Sequence, residues 1–155
     1  SDIVGYQMPE EKVQEEIIEK DEKISQKKKD TIIRARIGQG KYREDLLDEC
    51  PYCPFTLVND ERLLIASHIK PWAKADNEEK IDPKNGFMLT PTYDKLFDRG
   101  FITFTDDKKV IVSPWLSPMN QKRLGIYTGK LVSKLPLDEK RKEYLKYHRE
   151  NVFKS

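Results

Sequence analysis

Cysteine is scarce in this chain, and its two copies sit together as Cys50-Pro51-Tyr52-Cys53. A zinc site built from four cysteines needs a second pair, so that site is excluded. Histidine is as rare, at positions 68 and 148 only. No apolar run approaches the roughly 18 residues needed to cross a bilayer, and no membrane association is expected. The acidic N-terminal stretch lacks the apolar core of a secretory signal. With no signal and one CxxC, a reducing, cytoplasmic setting is expected. No internal repeat or low-complexity tract is present. The net charge is only +2, from 29 Lys and Arg against 27 Asp and Glu, which by itself selects no partner.

What remains fits a single domain. The 155 residues allow one modest core with an appendage. Residues 1–33 are too polar for a core of their own and form an N-terminal helical extension; residues 34–155 form the main domain. Charge is clustered: Lys27, Lys28, Lys29, Arg34, Arg36, Lys41 and Arg43 lie close together. Such a group is either a solvated face or a surface for a polyanion. The CxxC has three readings: half of a zinc knuckle, a redox pair, or two thiols at a turn. Pro54 after Cys53 argues against the redox motif, which wants the start of a helix there. A turn is preferred.

Periodicity predicts a helix over residues 9–30, with Val13, Ile17 and Ile24 as a narrow apolar stripe. It either docks by one edge, joins two copies of the chain as a homodimer, or links to a further domain. Gly38-Gln39-Gly40 separates it from a helix over residues 40–49, with Tyr42, Leu46 and Leu47 on one face. Residues 55–67 read as a β-hairpin, with strands Phe55 to Val58 and Leu63 to Ser67 about an Asn59-Asp60 turn. Residues 73–84 read as a polar loop. A helix then starts at Thr90-Pro91 and stops before Gly100, with Leu96 and Phe97 inward. A second hairpin covers residues 101–113. Short and long helices follow at residues 117–124 and 138–153, the latter capped by Asp138.

The order strand, turn, strand, loop, helix over residues 55–99 carries a histidine, an asparagine and a carboxylate in turn. Hydrolysis of a phosphodiester needs a base for water, and imidazole suits that near neutral pH. It also needs neutralisation of the charge on phosphorus and on the departing oxygen, which a hard cation on carboxylate oxygens supplies. An asparagine holds loop geometry through its amide.

Three blocks stand in that order: Ala66-Ser67-His68-Ile69-Lys70-Pro71-Trp72, Asn85-Gly86-Phe87-Met88-Leu89 and Tyr93-Asp94-Lys95-Leu96-Phe97-Asp98-Arg99-Gly100. Together with Arg36 to Arg43 and Tyr144 to Arg149, they closely resemble the HNH endonucleases of restriction systems. The resemblance implies an α+β fold with a ββα-metal core, flanking helices and a second β-hairpin. It implies a metal-dependent DNA endonuclease, plausible in restriction or defence, that acts on double-stranded DNA. By the same resemblance His68 is the general base, and Asn85 fixes the loop. Asp94 takes the place of the motif's last histidine as metal ligand, with Asp98 one turn on as an assistant. An aspartate there favours Mg²⁺ or Mn²⁺. Thr90 and Tyr93 fill the positions of a second cysteine knuckle, so no structural zinc is expected. Ser67 replaces a common metal ligand. Arg36, Gln39, Lys41, Arg43, Lys70, Lys95 and Arg99 are the expected nucleic-acid contacts. Trp72 is expected in the core and His148 at the surface or an interface.

Overall fold

The computed structural model describes residues 8–155. Residues 1–7 of the expected N-terminal extension lie outside the described residues. Among the described residues, two antiparallel strand pairs stand with seven α-helices, an α+β arrangement. Helix α1 (Pro9–Lys20) has Pro9 in its first turn, and the Glu11 carboxylate accepts from the Met8 N–H. Helix α2 (Gln26–Ala35) is separate, because Ser25 caps it through the Lys28 N–H. The single helix expected over residues 9–30 is therefore two, broken at Asp21 to Ser25. The apolar stripe is also corrected. Val13 and Ile17 face solvent, while Ile18 is the buried residue of α1. A third helix, α3 (Lys41–Glu49), buries Tyr42 and Leu46.

The hairpin expected over residues 55–67 does not form. Leu57 takes a positive φ of 61°, which extended strands do not tolerate. Residues 61–63 form one turn of tight helix, with Asp60 capping the Arg62 N–H. Strand β1 (Ile65–Ser67) instead pairs with β2 (Phe87–Leu89), in the register Ile65↔Leu89, Ala66↔Met88 and Ser67↔Phe87. The intervening residues, expected as a polar loop, contain helix α4 (Asn77–Ile81). A capping box between Asp76 and Glu79 starts it.

Helix α5 (Pro91–Asp98) packs across both strands of this pair. It ends where Gly100 turns with a φ of +75°. A side chain there would collide with the Val152 carbonyl, and the Gly100 carbonyl accepts from the Lys154 N–H at 2.9 Å. Strands β3 (Ile102–Phe104) and β4 (Val110–Val112) form the second hairpin, as expected. Helices α6 (Pro118–Leu124) and α7 (Glu139–Asn151) follow, capped by Ser117 and Asp138.

One core joins these elements, from Ile18 and Ile32 through Trp72, Phe87 and Phe97 to Phe104 and Leu145. The Trp72 indole N–H donates to the Ile32 carbonyl at 2.9 Å, so Trp72 is core, as expected. Among the described residues no helix is long and apolar enough to cross a membrane.

Candidate functional site

The β1–β2 register sets the site. Pairing Ser67 with Phe87 puts the residues just past β1 beside those just before β2. His68 and Asn85 are thereby neighbours, although 17 positions separate them in the chain. Helix α4 lies over this end of the pair. Its last carbonyls have no partner within so short a helix. Two of them serve the site: His68 Nε2 lies 2.8 Å from the Lys80 carbonyl, and Asn85 Nδ2 donates to the Glu79 carbonyl at 3.1 Å.

A carbonyl only accepts, so Nε2 of His68 carries the hydrogen and Nδ1 keeps its lone pair. The ring lies flat on Tyr42, with centroids 4.3 Å apart. Burial pushes the imidazole's pKa down to about 3, against a smaller opposite effect of the Lys80 carbonyl. The His68 imidazole is thus neutral near pH 7, with its Nε2–H directed at the Lys80 carbonyl.

Asn85 is fully buried and its amide is fully used. Its Oδ1 accepts from the Lys70 N–H at 2.8 Å, and its Nδ2 donates to the Lys70 carbonyl at 3.1 Å. It pins the chain leaving β1 to α4. Gly86 must lack a side chain, because a Cβ would collide with the Tyr42 hydroxyl that supports this corner. That hydroxyl donates to the Asn85 carbonyl at 2.7 Å.

From the other side, α5 presents two carboxylates one helical turn apart. Asp94 is buried, and the Ser67 hydroxyl donates to its Oδ1. Asp98 is exposed and opens on a cavity of about 370 Å³. His68, Arg36, Arg99, Trp72 and Tyr147 line the same cavity. Helix α1 borders it with Glu10 and Glu11, the second paired to Arg36 at 3.8 Å. Glu10 reaches Lys74 at 3.1 Å. Oxygen donors at Asp94 and Asp98 are the type a hard cation takes. Among the described residues, no three His, Cys, Asp or Glu side chains group to hold a metal. Asp98 lines the cavity, whereas Asp94 lies behind it against the Ser67 hydroxyl, so a cation in the cavity would draw on Asp98, water and substrate oxygens first.

The expected nucleic-acid contacts divide. Arg36 and Arg99 share the cavity with His68. Lys70 lies beside it, its ammonium 3.0 Å from Glu79 and 5.0 Å above the Tyr147 ring. Gln39 and Arg43 line a separate, more open depression with Arg34 and Glu61. Arg43 is a tie there, donating to the Leu64 carbonyl at 2.7 Å and to the Glu61 carbonyl. Lys41 pairs with Asp45 at 3.2 Å, and Lys95 is exposed on α5.

His148, expected at the surface or an interface, is buried within the chain instead. It stacks on Phe97, Nδ1 lies 2.8 Å from the Thr103 hydroxyl, and Nε2 is 2.9 Å from the Phe97 carbonyl. Cys50 and Cys53 are buried thiols. Cys53 Sγ lies 3.6 Å from the Thr90 hydroxyl, and Phe55 stacks on Tyr93 at 4.1 Å, so Thr90 and Tyr93 pack against this CxxC loop.

Three supports of the site had no local signal in the sequence. Lys80 is buried and sits 4.8 Å above the Trp72 ring while its carbonyl holds His68. Tyr42 reads as an ordinary inward residue of α3. Arg141 is buried on α7 and donates to the Gly86 and Pro83 carbonyls at 3.1 Å each. No curated protein matches the chain. Residues 53–105 match the family model for HNH endonuclease. That stretch carries His68, Asn85, Asp94 and Asp98, and it covers about a third of the chain.

Proposed function

We propose that the chain is a metal-dependent DNA endonuclease, with β1, β2 and α5 as a ββα-metal core and residues 34–155 as the catalytic domain. The observation that carries this reading is the state of His68. Its Nε2–H is fixed on the Lys80 carbonyl, and its ring opens on the cavity that also receives Asp98, Arg36 and Arg99.

The chemistry follows from the side chains. Nδ1 of His68 takes a proton from water as it attacks phosphorus, and the Lys80 carbonyl stabilises the imidazolium that forms. Asn85 ties the neighbouring Glu79 carbonyl and the chain after β1 in place. Arg36 and Arg99 bind the phosphodiester by charge-assisted hydrogen bonds. Asp94 and Asp98 would hold Mg²⁺ or Mn²⁺, which supplies charge neutralisation on the phosphate and the departing oxygen. Lys70 and Lys95 flank the scissile strand. The biological setting we propose is restriction or another defence against foreign DNA, on the strength of the resemblance of residues 66–72, 85–89 and 93–100 to such enzymes.

The test is nicking of supercoiled plasmid with Mg²⁺ or Mn²⁺, wild type against Asp94→Ala. Conversion to open circle or linear DNA by wild type, lost in the variant, supports the reading. Plasmid bound but left intact by wild type under both ions would contradict it.

A further inference from the structure

Outside the family segment, the chain carries a charge asymmetry that the net value of +2 conceals. The 30 residues from Lys108 to Leu137 contain six cations and no carboxylate. The chain's whole positive excess sits there. The same stretch bears four of the most exposed large apolar side chains: Trp115 at 74%, Tyr127 at 59%, Leu131 at 58% and Met119 at 57%. Isolated exposed apolar residues need no explanation, but four among six cations do.

The fold gathers them around α6. Residues 128–132 lie along the outer edge of β4, held by Val110 N–H to the Lys130 carbonyl at 2.9 Å and Val132 N–H to the Lys108 carbonyl at 2.8 Å. Leu131 and Lys109 sit opposite each other in that bridge. Lys122 and Arg123 occupy the last turn of α6, and the Lys130 ammonium folds back to the Gly125 carbonyl that closes it, at 2.7 Å. Three cations therefore stand at one helix end, while Trp115 precedes the helix and Tyr127 follows it. Among the described residues, Arg123 reaches the neutral Asn120 amide oxygen at 3.3 Å and no carboxylate.

This surface adjoins the site. The Tyr93 hydroxyl donates to the Leu124 carbonyl at 3.5 Å, joining the end of α6 to the residue before Asp94.

We infer that the α6 surface is a second docking site for double-stranded DNA, holding the duplex beside the cut. Lys122, Arg123 and Lys130 contact phosphates there, and Trp115 and Tyr127 lie against sugar edges in the minor groove. The inference rests on the endonuclease reading for the identity of its ligand. A cation-rich segment with no carboxylate of its own selects a polyanion, and its contact with α5, the helix that carries Asp94 and Asp98, puts DNA first among them.

The test avoids cleavage by using the full chain in EDTA with a short duplex, read by tryptophan emission and by anisotropy of labelled DNA. The chain has two tryptophans, and Trp72 is buried. Quenching on DNA binding should therefore come from Trp115 and vanish in Trp115→Phe. The Lys122→Glu/Arg123→Glu double variant should bind at least tenfold more weakly at unchanged thermal stability. Its slope of log affinity against log salt should fall by nearly 2, for two lost phosphate contacts. An affinity within twofold of wild type, or Trp115 emission that DNA leaves unchanged, overturns the inference. So does quenching by phosphatidylserine vesicles but not by DNA. Wild type that binds DNA through Trp115 but never nicks it sinks the catalytic reading and leaves this surface standing. Wild type that nicks DNA while ignoring the α6 changes does the reverse.

Discussion

The Tyr42 ring lies against the His68 imidazole, with centroids 4.3 Å apart and planes 5° from parallel. The same side chain donates its hydroxyl hydrogen to the Asn85 carbonyl at 2.7 Å. One residue of α3 thus supports both the proposed base and the loop beside it. Tyr42→Phe keeps the platform and orphans one buried carbonyl, so a loss of about 1–2 kcal/mol in unfolding free energy is expected, with a modest fall in rate. Tyr42→Ala leaves a cavity under the imidazole. It should cost about 3–5 kcal/mol and most of the activity. Urea denaturation and nicking rates on the three proteins check this order.

Asn85→Asp tests the loop with almost no change of shape. The amide nitrogen faces the Lys70 and Glu79 carbonyls. A carboxylate oxygen there meets two acceptors with no hydrogen to share, in a fully buried place. A loss of about 3 kcal/mol is expected, with at least a tenfold fall in cleavage rate. Equal stability of the variant and wild type at pH 7 would show that the amide's donors carry no weight.

His148 sets an acid limit on stability. Burial lowers its pKa to about 4, offset in part by the Phe97 carbonyl. The unfolded chain binds the proton near pH 6.5, so between that value and about 4 the unfolded state holds more protons. Stability is therefore full above pH 6.5 and falls as pH drops toward 4. The loss is on the order of 2–3 kcal/mol from this residue. Thermal melts from pH 7 to 4.5 should show a fall that is shallower in His148→Gln. The same slope in both proteins would assign the effect elsewhere.

The parts of the site that were legible in the sequence are those whose residue types do their own signalling. Thr90, Pro91 and Gly100 punctuate α5, and the blocks around His68, Asn85 and Asp94 stand in an informative order. The pairing of β1 was not legible. Its true partner starts 20 residues after Ser67, whereas Phe55 to Val58 offered a nearer apolar run, and periodicity cannot separate a short strand from a packed turn. The burial of His148 was hidden for the same reason. Its partners, Thr103 and Phe97, are 45 and 51 positions away. The break between α1 and α2 had a signal in Ser25, which the charge-rich stretch around it masked.

Glu11 stands against Arg36 at the edge of the cavity, both side chains mostly buried. A phosphate that takes Arg36 must compete with that carboxylate. Glu11→Gln should raise DNA affinity in EDTA by about threefold at low salt, an advantage that screening removes near 1 M salt. Stability should fall by more than about 1 kcal/mol, because the pair is mostly buried. Binding isotherms at two salt concentrations decide it, and an unchanged or weaker affinity at low salt would show that Arg36 does not meet DNA.

The most direct measurement is a single-turnover cleavage time course for wild type and His68→Ala, with DNA affinity measured in parallel without metal. Removal of the imidazole should slow cutting by about 10²–10⁴-fold while affinity stays within twofold. A His68→Ala protein that cuts at the wild-type rate would contradict His68 as the base, because no other histidine reaches the cavity.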